Sequence, residues 1–173
     1  MDIAVWSDPE TLPVHRGELL WGRHRVPCAI GKSGVNPDKR EGDGATPAGR
    51  FPLRRVLYRA DRLTLPQLTL PVSVIEPSSG WCDDPNDKAY NTQVLLPHKG
   101  RHEHLWRLDQ LYDVVVVIGH NDAPVRRGYG SAVFMHVATP DYGPTEGCVA
   151  LKLDDLIELL VAAKPGDDLI VAG

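Results

Sequence analysis

Apolar residues in this chain fall in short runs, each cut off within a few positions by polar or turn-forming residues. "IAVWS" from Ile3, "ELLWG" from Glu18 and "VPCAIG" from Val26 read as three successive strands. The polar loop "KSGVNPDKREGDGATPA" then makes a wide connection, rich in Gly, Asp and Pro, to a strand in "GRFPLRRVLYR". A further strand is expected in "LTLPVSVIEP". From Ser78 to Arg107 the pattern dissolves into turn formers such as "SSGWCDDPNDKAYN", and a loop that long inside a domain is functional or mobile. "DVVVVIGHN" and "SAVFMHVA" follow, two β-branched or apolar runs that read as buried central strands. The second carries His136 near its end.

Beyond Cys148 the period changes. Leu156, Leu159, Leu160 and Ala163 stand at i, i+3, i+4 and i+7, the face of an amphipathic helix. Asp155 and Glu158 resemble a capping box, Pro165-Gly166 stops the helix, and "DLIVAG" closes the chain as a strand. The expected fold is mainly β, a sandwich or barrel with one helix in the C-terminal half packed on it. No repeat or long linker divides residues 1–173, so one domain is expected.

Composition narrows the function. Fifteen prolines and sixteen glycines are scattered through the chain, which suits many short strands and loops rather than a repeat. A net charge of −4 with no basic stripe argues against nucleic acid as a partner. No apolar run approaches the roughly 18 residues of a spanning helix, so no membrane span is expected. The start, "MDIAVWSDPETLPVHRGELL", lacks the basic and long apolar regions of a signal peptide. That favours the cytoplasm unless export uses another or a trimmed signal. Cys28, Cys82 and Cys148 are odd in number and match neither a disulfide framework nor a CxxC zinc site.

Two residues offer chemistry. Gly147 permits a tight bend just before Cys148, which exposes the sulfur and gathers backbone N–H donors for an oxyanion. A helix starting a few residues later would favour the thiolate. The alternative is a buried structural thiol. His136 stands twelve residues earlier, and the turn-rich "VATPDYGPTEG" between them lets the chain fold back beside the strand. Its imidazole is a candidate general base and acid; the alternative is a satisfied strand-end histidine. In "HKGRHEHLW", His98, His102 and His104 with Glu103 raise the question of a metal. The spacing fits no common zinc pattern, and Lys99 and Arg101 oppose a cation. Neither a metal nor another cofactor is expected.

The segment Gly128–Leu151, "GYGSAVFMHVATPDYGPTEGCVAL", resembles the catalytic motif of the YkuD family of L,D-transpeptidases. There a strand-borne histidine precedes a Ser/Thr-x-Gly-Cys-Val/Ile turn. "IGKSG" and "KREGDGATPAGRFPL" resemble the family's early strand-loop-strand with its Thr-Pro-x-Gly element, here Thr46-Pro47-Ala48-Gly49. With "GWCDDPNDKAYN" and "VVVIGHND", the likeness spans roughly Ala29 to Leu160.

The resemblance implies a YkuD-like β-sandwich or barrel acting on peptidoglycan stem peptides or muropeptides. Cys148 is then the nucleophile and His136 the general base and acid, while Thr145 and Gly147 shape the turn and oxyanion site. Attack at the carbonyl of a diamino-acid residue expels a terminal D-amino acid and leaves a thioester. Transfer to an amine of another stem makes a crosslink, in the periplasm or cell envelope. Transfer to water makes an L,D-carboxypeptidase, suited to recycled muropeptides. A module that keeps the fold without the chemistry, binding cell wall only, is the third reading.

This chain also departs from the family. Glu146 stands where many members have histidine, Ala150 where they have arginine, and Val137 where they have glycine. Other cations are therefore candidates for the substrate carboxylate: Lys39, Arg40, Arg50, Arg126 and Arg127. His120 is expected to orient substrate or cap a turn with Asn121 and Asp122. Trp81, Cys82, Asp83 and Tyr90 are expected to wall the pocket from the long loop.

Overall fold

Fourteen strands and one helix succeed one another in the computed structural model, which describes residues 1–172. The first three strands are β1 (Asp2–Trp6), β2 (Arg16–Trp21) and β3 (His24–Ala29). β4 (Val35–Asn36) and β5 (Thr46–Pro47) are two-residue pieces that pair with each other across the polar loop. Next come β6 (Gly49–Tyr58), β7 (Val72–Val74), β8 (Ser79–Cys82), β9 (Gln93–Leu95) and β10 (His102–His104). β11 (Val114–Ile118), β12 (Phe134–Val137) and β13 (Val149–Leu151) lead to α1 (Leu153–Ala162) and β14 (Asp168–Val171).

The main sheet runs β11-β12-β13-β3-β2-β1-β14-β6-β7, and β11 also pairs with β6, which closes it into a barrel. β6 is long enough to serve three neighbours. Its first residues, Gly49–Pro52, pair with β14, and its later ones, Val56–Tyr58, with β7. Its opposite edge pairs with β11.

Alternation explains why the two apolar runs are apolar throughout. On β11, Val114, Val116 and Ile118 face the barrel core, with Val133, Met135 and Val137 from the β12 segment and Val149 and Leu151 from β13. The opposite faces carry Val115, Val117, Phe134 and Cys148, which form a second cluster with Leu57, Ile75, Trp81 and Leu105. These strands are buried on both sides. On the inside α1 contributes Leu156, Leu159, Leu160 and Ala163, the face its sequence spacing predicts.

Four expectations need correction. The Ser78–Arg107 segment is not irregular: β10, β8 and β9 form a three-stranded antiparallel sheet. Strands of three or four residues are too short for alternation to register. The strand expected over "LTLPVSVIEP" shrinks to Val72–Val74, because Pro71 before it has no N–H for a ladder. Asp155 caps nothing: Lys152 holds the N-cap position without a side-chain bond, and Asp154 and Asp155 sit in the first turn, where their charge suits the helix dipole. Finally, Cys148 leads into β13 rather than toward the helix. Three strand residues, about 10 Å of chain, separate the sulfur's residue from the helix start, so the helix dipole does not act on it.

Candidate active site

β12 and β13 run parallel, with Met135 opposite Val149 and His136 opposite Ala150. Cys148 therefore stands level with Phe134, and its sulfur accepts the Phe134 N–H at 3.3 Å. Positions 134 and 136 share one face of β12, and 148 and 150 the matching face of the neighbouring strand. Two strand residues, roughly 7 Å of backbone, offset the cysteine from the histidine along that face. Both line one cavity of about 440 Å³, within the usual range for a small-molecule site.

The turn before Cys148 is built by Gly147 and Thr145. Gly147 has φ +136°, and a Cβ there would lie 2.7 Å from the Ala45 carbonyl oxygen, so glycine is required twice over. Thr145 Oγ1 donates to the Cys148 carbonyl at 2.7 Å and accepts the Gly147 N–H at 3.1 Å. The Gly147 N–H is thus engaged inside the turn, and Thr145 acts as its brace. Gly31 forms a bridge with Thr145 and gives its N–H to Thr46 Oγ1 at 2.8 Å. The Thr46-Pro47-Ala48-Gly49 element thereby buttresses the Cys148 turn from behind.

Both central groups are neutral at rest. Burial pushes the Cys148 thiol up to about 12, with the Glu103 charge adding to it. The thiol donates to the Ala132 carbonyl at 3.3 Å. Burial pulls the His136 imidazole down to about 4. Its Nδ1 lies 2.8 Å from the Val137 carbonyl oxygen, which can only accept, so Nδ1 carries the proton and Nε2 keeps a lone pair. The Tyr112 ring packs against His136 at 5.4 Å between centroids. The cavity thus holds a neutral thiol and a neutral imidazole rather than a thiolate–imidazolium pair.

Around them the cavity is charged. Lys39 is buried at 7% exposure and pairs with Asp43. Its Nζ lies 3.3 Å from where a Gly147 Cβ would sit, and its charge lowers the Cys148 thiol in opposition to burial. Burial raises the Asp43 carboxyl, but N–H donors from Arg40 and Ala45 and the Lys39 ammonium outweigh it and hold it below its ordinary value. Glu41 accepts the hydroxyls of Tyr90 and Ser131. Arg101 pairs with Asp83, and Arg107 with Asp109. Glu103 accepts the Tyr112 hydroxyl at 2.7 Å.

Of the expected site residues, Cys148, His136, Gly147, Thr145, Lys39 and Asp83 line this cavity. The others lie elsewhere. His120 and Arg126 line a neighbouring cavity on the far side of Lys39, and His120 Nε2 bonds the Tyr129 carbonyl at 3.0 Å. Asn121, rather than His120, caps the turn there by accepting the Arg126 N–H. Arg50 is exposed and pairs with Asp2 and Asp168 where β6 meets β14. Arg40 pairs with Asp38, and Arg127 lines neither cavity. Trp81 and Tyr90 stand behind the wall rather than in it. Trp81 sets its edge on Phe134 at 4.9 Å and donates to Asn91, while the Tyr90 hydroxyl positions Glu41. Cys82 is buried, and all three cysteines are free.

Glu41, Arg101, Glu103, Arg107 and Tyr112 were not singled out as site residues by the sequence reading. For Glu103 a signal existed. Residues i and i+2 share a strand face, so the histidines at 102 and 104 turn one way and Glu103 the other. His98, His102 and His104 indeed line a separate outer groove. His98 turns to Asp87 at 2.9 Å, and with Cys82 these are three ligand types within 4.8 Å. The Asp87–His98 bond already uses one donor from each.

A family model for YkuD, the L,D-transpeptidase catalytic domain, matches residues 4–171. Among solved structures, L,D-transpeptidase 1 of Mycobacterium tuberculosis is similar at 15% identity and a TM-score of 0.41. The match covers 99% of this chain and 59% of that one. No curated protein matches the chain significantly.

Proposed function

Because the chain belongs to the YkuD family of L,D-transpeptidase catalytic domains, we propose that it is a cysteine acyl-transferase acting on peptidoglycan stem peptides. One observation carries the reading: the Cys148 sulfur and a histidine with a free Nε2 stand on the same face of two paired strands and line one cavity.

The thiol proton passes to His136 Nε2 as the sulfur attacks the stem-peptide carbonyl. Because the thiol sits near 12 and the imidazole near 4, transfer has to accompany bond formation rather than precede it. The Cys148 N–H, which neither side-chain bond of the turn uses, supplies an oxyanion donor. Collapse breaks the carbon–nitrogen bond, and the leaving D-amino acid takes the proton from His136. The thioester then meets an amine of another stem. That amine loses a proton to His136, a new amide forms, and the sulfur leaves and regains its proton.

The test is incubation of the protein and its Cys148→Ala variant with tetrapeptide-bearing muropeptides, with products read by mass. Crosslinked dimers from the wild type alone are expected. Shortened monomers without dimers would instead assign an L,D-carboxypeptidase, with water as acceptor. No product of either kind, with an unreactive thiol, would leave a binding module.

A further inference from the structure

Charge accounting around the cavity isolates one group. Lys39, Asp83, Arg101, Arg107 and Glu146 each have an opposite charge beside them, in Asp43, Arg101, Asp83, Asp109 and Lys32 respectively. Glu41 has no cation but accepts two hydroxyls, from Tyr90 and Ser131. Glu103 has neither arrangement. Its Oε2 accepts the single Tyr112 hydroxyl at 2.7 Å, and Oε1 has no protein partner among the described residues.

Its position makes this odd. Glu103 lines the same cavity as Cys148 and His136, and Tyr112, which it holds, packs its ring on His136 and shares an apolar cluster with Cys148. A negative charge here opposes thiolate formation, and it is the largest charge effect on the sulfur after burial. The groups facing Glu103 are Tyr112, Asp83, Arg107 and Glu41, and three of these four already have partners of their own. Burial raises the Glu103 carboxyl, and Arg107, already paired with Asp109, offsets this only in part, so the charged form with one free oxygen is costly unless a further cation arrives.

We propose that Glu103 receives a primary ammonium group carried by the substrate close to its reacting carbonyl. This rests on the acyl-transfer reading, and it assigns a residue of this chain to the side-chain amine of the diamino acid which that reading implies. The ammonium donates to Glu103 Oε1 while Tyr112 keeps Oε2. Its charge cancels the field that opposes the thiolate, so the sulfur is released for attack only when the amine-bearing substrate is seated. In the empty site the nucleophile stays quiet. Tyr112 is a positioning residue, since it aims the carboxylate.

The test compares two synthetic tetrapeptide stems, one with a free side-chain amine on the diamino-acid residue and one with that amine acetylated. Thioester formation on intact protein is followed by mass under single-turnover conditions. The wild type is expected to acylate about tenfold or more faster with the free amine, since a buried charge pair is lost on acetylation. Glu103→Gln should lose that advantage and acylate with both stems at similar rates, the acetylated stem reacting faster than it does with the wild type because the opposing charge is gone. In the same variant the pH profile of Cys148 alkylation should move to lower pH, because a negative charge beside the sulfur is gone. That shift needs no substrate and also shows that the pocket is intact.

Equal acylation by both stems in the wild type would overturn the ammonium site and leave the acyl-transferase standing. An unmoved alkylation profile in Glu103→Gln would overturn the coupling to Cys148. Failure of the wild type to acylate with either stem would overturn the parent reading, and the ammonium site with it.

Discussion

The barrel and the small sheet laid over it carry the same site in different ways. Barrel strands β11, β12 and β13 are buried on both faces by apolar side chains, and they hold Cys148 and His136 in a register fixed by backbone pairing. The overlying sheet, β8 to β10, is short and polar. It is held together by side-chain bonds such as Trp81 to Asn91 and Arg101 to Asp83, and Asn91 ties it to the barrel by donating to the His120 and Asn121 carbonyls and accepting the Ala132 N–H. It presents charges rather than reacting atoms. On the proposed reading, the bond-breaking chemistry falls to the backbone-paired barrel and the contacts to substrate charge to the sheet above it. Rigid support suits groups that must meet within a few tenths of an ångström.

The largest expected effects strike the barrel side. His136→Gln should lower the acylation rate by about 10²–10⁴-fold, the usual contribution of a positioned base, without loss of fold. Rapid acylation by this variant would remove His136 from the chemistry. Gly147→Ala comes next. The added Cβ meets the Ala45 carbonyl at 2.7 Å in a backbone conformation that side chains resist, so the nucleophile must shift. A displacement near 1 Å is expected to cost about 10²-fold in rate.

Damage to the covering sheet should read out first as stability. Trp81→Ala removes a buried ring packed on Phe134 and is expected to cost about 3–5 kcal/mol in chemical denaturation. If the two layers are as separable as the contrast implies, alkylation of Cys148 in the folded variant will speed up, because its cover has loosened. Unchanged alkylation would show that the sheet does not guard the sulfur.

The smallest effect is the pH dependence of His136. Burial holds its folded-state value near 4, against about 6.5 in an unfolded chain. Protonation therefore favours unfolding. The contribution of neutral His136 is complete above about pH 6.5 and is lost as the pH falls toward 4. As the pH falls from about 6.5 to 4 the wild type should lose up to a few kcal/mol relative to His136→Gln, and the difference between the two should be constant on either side of that window. In the opposite direction, Cys148 alkylation in the wild type should climb through neutral and alkaline pH without a plateau. A plateau near pH 6 would reveal a preformed ion pair.

The chain order alone determined a good deal. Two apolar runs, a helix face at Leu156, Leu159, Leu160 and Ala163, and a glycine-cysteine turn downstream of a strand histidine can all be read from local periodicity. Each depends on neighbours a few residues apart. Tertiary structure decided the rest. The parallel pairing of β12 with β13 sets Cys148 level with Phe134, and partners fourteen residues apart leave no periodic trace. The sheet within Ser78–Arg107 exists because three very short strands find one another across turns, which local propensity does not encode. Burial, finally, is a property of the assembled layers. Only once Glu103 from one layer stands beside Cys148 from the other does a carboxylate on a histidine-rich strand become part of the site.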